Sequence, residues 1–233
     1  MNDFLPERPP SPSLAAAPAR LPADFDRPPA VYRGKTFWSW NGKLEPRDVK
    51  KAARIIRTAA APVVQLETPL ATVQAAAEIA SKAGVPVIHN PAPAQPLPDS
   101  LLKLVSILTP HETEAELLIG IKVTDDTTAA KAADKLLPRG VKTVILTLDS
   151  RGAFIAEPSG HQLVAGFKVK AVNTTAAGDT FNGALAVALA EGKALVGAVR
   201  FANAAGALSV TKIGAQTSAP TRKEIERFLK DNA

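Results

Sequence analysis

Val172-Asn173-Thr174-Thr175-Ala176-Ala177-Gly178-Asp179-Thr180-Phe181-Asn182-Gly183 is a run of small and hydroxyl-bearing residues with a single carboxylate near its middle. Small residues and a glycine leading into an apolar-periodic segment mark the start of a helix. Its first backbone N–H groups are unpaired there, and its dipole favours an anion in front of them. Asp179 stands on the first turn, placed to take a proton from a hydroxyl that approaches the same seat, which is what a phosphoryl acceptor requires. Taken alone, the same aspartate also reads as a charge that complements the helix terminus.

Outward from this run, strands and helices alternate. Helices are expected over 178–190, 195–209 and 222–230. Upstream, 143–148 is β-branched and apolar throughout, as in a central strand covered on both faces, and 152–156 with 167–169 reads as a strand pair flanking a turn at 158–160. Further back come a helix over 45–58 with Pro46 in its first turn, a strand over 62–67, a helix over 71–83 ended by Gly84, strands over 85–90 and 105–109, and helices over 112–119 and 127–137. Such alternation predicts an α/β fold, a mostly parallel sheet between two layers of helices. Ligands of these sheets bind beyond the carboxyl ends of the strands.

Composition narrows the chemistry. The 233-residue chain is 46% hydrophobic, enough for a packed core, and contains no cysteine and three histidines. Disulfides, thiolate metal sites and cysteine nucleophiles are excluded, and material for a zinc site is scarce. With no apolar run of about 18 residues and no signal-peptide pattern, no membrane partner and a cytoplasmic location are expected. The net charge of +6 invites a nucleic-acid reading. Residues 1–60 hold 11 Lys/Arg against 6 Asp/Glu, however, and residues 61–233 hold 17 against 16. The basicity thus belongs to the head of the chain, and no nucleic-acid partner is expected. Eight of the 20 prolines fall in the first thirty residues, so residues 1–36 read as a Pro-rich, disordered head and 37–233 as the folded part.

The Val172–Gly183 string resembles the second signature of the ribokinase family, the PfkB-type carbohydrate kinases. Further strings agree with it in order and spacing: Gln65-Leu66-Glu67-Thr68-Pro69-Leu70, Asn90-Pro91-Ala92-Pro93-Ala94, Leu108-Thr109-Pro110-His111-Glu112-Thr113-Glu114, Thr147-Leu148-Asp149-Ser150-Arg151-Gly152 and Gly214-Ala215-Gln216. The resemblance covers roughly Trp40 to Leu229. It implies a three-layer α/β/α, ribokinase-like (Rossmann-like) fold and ATP-dependent phosphorylation of the primary hydroxyl of D-ribose or a similar sugar.

Residue by residue, the resemblance makes Asp179 the catalytic base and a substrate ligand, with the N–H groups of Ala177, Gly178 and Asp179 as the anion hole. Glu67 would bind a sugar hydroxyl; unaided, it also reads as a solvated strand-end carboxylate. His111, Thr147, Leu148, Asp149, Ser150, Arg151, Gly152 and Asn203 would line the nucleotide, together with Gly178 and Asp179. Glu112 and Glu114 would hold Mg2+ through water, although acids in a first helical turn are ordinary. Asn173, Thr175, Ser209, Lys212, Gly214 and Ser218 would supply oxygens to a monovalent cation, K+ in this family.

Three positions depart from the family pattern. Asn173 replaces an aspartate, so K+ should bind weakly; His111 replaces an asparagine, and Asp149 a glycine. The family's amino-terminal strands, its β lid and its Gly-Gly sugar motif find no counterpart, and no Gly-Gly pair occurs. The fold is therefore expected without those strands and lid, and a homodimer would lack the lid interface. The head reads as sequence foreign to the fold: a shifted frame, a misassigned start or a truncated gene. Two functions follow, a ribokinase-like enzyme of doubtful activity, or a catalytically silent nucleotide-binding remnant or regulatory partner.

Overall fold

A computed structural model describes residues 53–233. The Pro-rich segment 1–36, and residues 45–52 of the first expected helix, lie outside the described residues. That helix is seen as α1 (Ala53–Thr58). There follow β1 (Val63–Gln65), α2 (Leu70–Lys82), β2 (Ile88–Asn90), a single turn α3 (Asp99–Leu102), β3 (Ile107–Leu108), α4 (Glu112–Ile119), α5 (Asp126–Leu136), β4 (Thr143–Thr147), β5 (Gly152–Glu157), β6 (Gly160–Ala165), α6 (Ala177–Ala190), α7 (Leu195–Ser209) and α8 (Arg222–Asp231).

The six strands lie side by side in chain order. β1 to β4 pair in parallel, while β5 and β6 run antiparallel. The parallel run is fed by helices that return the chain over the sheet, the only short way to bring each strand back in the same direction. Among the described residues β1 has one neighbour, β2. An edge of this kind leaves a row of backbone groups open to pairing.

Alternation along β4 builds the layers. Val144 and Leu146 point into a core closed by α2, α4 and α5, where Val73, Ala77, Leu108, Ala115, Ala129 and Leu136 are buried. Ile145 points the other way, into a core with Ile88, Ile107, Phe181, Leu185, Val199 and Ala202 beneath α6 and α7. Each fully buried large side chain contributes about 1.5–3 kcal/mol relative to an exposed one. Ala198, Ala202, Ala204 and Ala205 of α7 are all fully buried, and side chains that small let α7 approach the sheet and α6 closely.

One expectation is corrected. The partner of β5 is β6, over Gly160–Ala165, and not 167–169. The hairpin closes at the Glu157↔Gly160 pair, so the return strand starts immediately after Pro158 and Ser159. Most of β6 is exposed, with only Val164 buried, and its polar His161-Gln162 start hides the strand from an apolar-run reading. The one-turn α3, set by Pro98 and burying Leu101 and Leu102, was likewise absent from the sequence reading. No helix among the described residues is long and apolar enough to cross a membrane.

Candidate active site

A cleft of about 820 Å³ opens at the carboxyl ends of the parallel strands. Gln65 and Glu67 reach it from β1, Asn90 and Ala92 from β2, and Thr147 from β4. The start of α6 forms its floor, and the Phe167-Lys168-Val169 segment that follows β6 forms a wall. The volume falls within the range of small-molecule sites, about 300–1,000 Å³.

The floor is a helix start without a side-chain cap. Ala176, in the N-cap position, adopts φ 62° and ψ 16°, a left-handed conformation that costs a non-glycine residue about 1–2 kcal/mol. That kink turns the chain so that α6 begins facing the cleft. The N–H of Ala177 donates to the carbonyl of Thr174 at 3.2 Å, so it is spent on the turn and not presented to a ligand. The N–H groups of Gly178 and Asp179 have no acceptor among the described residues, and both residues line the cleft. Of the three expected anion-hole donors, two are therefore free.

Asp179 is half-buried, and its Oδ1 accepts a hydrogen bond from Nε2 of Gln65 at 2.8 Å. The same Nε2 donates to Oδ1 of Asn90 at 2.7 Å, and Nδ2 of Asn90 donates to the Thr109 carbonyl at 2.8 Å. Oγ1 of Thr109 donates to Oδ1 of Asn182 at 2.7 Å, whose Nδ2 donates to the Gly178 carbonyl at 2.9 Å. These four partners are buried, and no role was assigned to them from sequence. The available signal was an amide or hydroxyl at or just beyond the end of each of three short strands.

At the rim, two of the departing residues meet. Nε2 of His111 lies 3.2 Å from Oδ1 of Asp149. Asp149 has φ 49°, the conformation for which glycine is the usual residue and which aspartate tolerates better than most. Ligand atoms of His111, Glu112 and Asp149 all lie within 4.8 Å of one another, a set that could hold a divalent ion. Glu112 also pairs with Arg151, which has Asp126 as a second carboxylate at 3.6 Å. Glu114 does not join the set. Its carboxylate turns back to accept the N–H of His111 at 2.8 Å, and burial pushes its carboxyl above the usual range against the opposing pull of that bond.

Other expected residues divide between wall and interior. Thr147, Asp149, Ser150, Gly152 and Asn203 line the cleft with exposed Glu67. Asn203 is anchored by donating to the carbonyls of Val164 and Ala165 at 3.0 and 3.3 Å. Leu148 is buried in the first core instead. Gly152 (φ 106°) sits where a Cβ would come within 2.2 Å of the Val164 carbonyl oxygen, so only glycine fits.

For the cation set, the Val210 carbonyl accepts the N–H groups of Val172 and Asn173 at 2.7 and 3.1 Å, bringing the 172–175 turn against the end of α7. Oδ1 of Asn173 is already engaged by the N–H of Thr175 at 2.7 Å. Ser209 and Ser218 are buried and donate to local carbonyls, and the Lys212 ammonium turns outward to Glu224. The oxygens present suit a hard cation, with no carboxylate of residue 173 to strengthen the site.

Beside the amide series lies His89, with Nδ1 3.1 Å from the Val64 carbonyl and Nε2 without a partner among the described residues. A carbonyl only accepts, so Nδ1 carries the proton. Burial lowers its pKa to about 4, against the pull of the Val64 bond.

The profile of the pfkB family carbohydrate kinases matches residues 32–222. A ribokinase of Haemophilus influenzae is 48% identical over 189 residues, which are 81% of this chain and 62% of that protein. A deoxyribokinase of Salmonella typhimurium is 31% identical over all 233 residues, and the match spans 74% of it. The structure of Arabidopsis thaliana ribokinase complexed with ribose and ATP superposes with a TM-score of 0.75 at 36% identity, covering 77% of this chain and 59% of that one. The chain thus spans about 60% of the length of the ribokinases it matches.

Proposed function

This chain belongs to the pfkB family of carbohydrate kinases, and from that premise we propose that it transfers the γ-phosphoryl group of ATP to the primary hydroxyl of ribose or a closely similar pentose. One observation carries the reading: the Asp179 carboxylate stands in the first turn of α6, beside the free N–H groups of Gly178 and Asp179, on the floor of a cleft large enough for both substrates. The proton of the sugar hydroxyl passes to Asp179 as the hydroxyl oxygen bonds to the γ-phosphorus, and the bond to the β-phosphate oxygen breaks to release ADP. The two N–H groups and the α6 dipole stabilise the charge on the transferring group.

Glu67 is proposed to accept a hydrogen bond from a sugar hydroxyl. Thr147, Asp149, Ser150, Gly152 and Asn203 would flank the nucleotide, and Lys168 brings an ammonium group to the wall. Mg2+, when bound, neutralises phosphate charge; Glu112, paired with Arg151, and Glu114, which lines the cleft while accepting the N–H of His111, would hold it through water. With Asn173 tied to Thr175 and uncharged, rate activation by K+ is expected to be weak, and a strong requirement at millimolar K+ would contradict this. A silent nucleotide-binding role is the second reading. Calorimetric ATP binding and ribose-dependent ADP release, measured on one preparation, separate the two. Binding with release is the expected outcome; binding without release supports the silent role, and neither overturns both.

A further inference from the structure

The side-chain amides behind Asp179 take no part in the chemistry described above, and from their arrangement we infer that Gln65 is a positioning residue that fixes which oxygen of Asp179 faces the cleft. The inference rests on the reading of Asp179 as the base. An ionised carboxylate only accepts hydrogen bonds, so the group facing Oδ1 of Asp179 at 2.8 Å must be the NH2 of Gln65. The second hydrogen of that NH2 goes to Oδ1 of Asn90 at 2.7 Å, which turns the Asn90 NH2 to the Thr109 carbonyl. The Thr109 hydroxyl then meets the Asn182 oxygen, and the Asn182 NH2 meets the Gly178 carbonyl, one residue before Asp179. Reversing either Gln65 or Asn90 would set acceptor against acceptor or donor against donor, so the carboxylate sets the polarity of both.

The result is a closed brace from the ends of β1, β2 and β3 to the first turn of α6. Its members are sequestered, Gln65 and Asn90 at 7% exposure and Asn182 at 2%, where leaving a polar group unpaired is costly. With Oδ1 held from behind, the proton taken from the substrate is received at Oδ2.

The test combines kinetics with a signal independent of turnover. Gln65→Leu, and Gln65→Asn with its shorter reach, are expected to lower kcat about 10- to 100-fold, with KM for ATP changed by less than about 2-fold because no nucleotide contact is lost. In the intact chain, the Gln65 side-chain amide protons should exchange slowly by NMR, and Asp179→Ala should shift their resonance and speed their exchange, while Lys168→Ala should leave both unchanged. An unchanged kcat in folded Gln65→Leu, or a Gln65 amide indifferent to Asp179→Ala, overturns the inference. Should the intact chain show no turnover, the kinase reading fails by itself, and the amide signal, which needs no substitution at Gln65, still decides whether Gln65 holds Asp179.

Discussion

The floor of the cleft and its rim are held by opposite means. At the floor, Asp179 is fixed by Gln65 and, through Asn90, Thr109 and Asn182, by uncharged groups that are nearly wholly buried. At the rim, His111 and Asp149 meet as an exposed pair, with side-chain exposures of 35% and 77%. A buried amide brace holds one geometry, because every alternative leaves a polar group unpaired. An exposed polar pair of this kind is worth at most about 1 kcal/mol. On the proposed reading, the floor fixes the reacting carboxylate and the weakly held rim rearranges around phosphates. It follows that substitutions at the floor should act on rate, and substitutions at the rim on little beyond nucleotide affinity.

The largest expected effect falls on the floor. Asp179→Ala should lower kcat by about 10²- to 10⁴-fold while calorimetry still detects ATP binding, and a smaller loss would remove the distinction between the two regions. Next is the close approach that shapes the wall. Gly152→Ala forces a Cβ against the Val164 carbonyl and the Gly166 amide, and should cost about 3 kcal/mol or more in urea unfolding. A variant as stable as the parent would show that the β5–β6 hairpin is looser than described.

The third prediction concerns His89, behind the floor. Its pKa falls from 6.5 to about 4 on folding, so the unfolded chain binds the extra proton between those values. Stability is therefore complete above about pH 6.5 and declines as pH falls toward 4, by on the order of 3 kcal/mol for this group. His89→Phe should flatten that part of the stability–pH curve; an unaltered curve would mean that His89 does not govern it. The smallest effect belongs to the rim. Asp149→Gly gives up the His111 pair and relieves the φ of 49°, so unfolding free energy should change by less than about 1 kcal/mol.

The same contrast explains what was legible in the sequence. The helices over 112–119 and 195–209 were bounded correctly, and the start of α6 was placed within one residue, because 3.6-residue periodicity is a local signal. The α/β layering followed from the alternation of elements. β6 was misplaced because its exposed face carries no apolar pattern. The brace was invisible for a different reason. Gln65 meets Asn90 because parallel register sets them side by side, and Asn182 meets Thr109 across 73 positions, a distance that no local pattern spans. That a turn engages the N–H of Ala177 and a helix start the carboxylate of Glu114 was also not legible, because these are backbone demands without a local residue pattern.

The central claim is that Asp179 and the start of α6 carry phosphoryl transfer to a sugar hydroxyl. Phosphorus NMR of the full chain with ATP, Mg2+ and ribose tests it most directly. The account predicts that the γ-phosphate signal is replaced by that of a sugar phosphate monoester, and that Asp179→Ala abolishes this within the same observation time. Release of inorganic phosphate without a sugar phosphate, or an equal yield from Asp179→Ala, would contradict it.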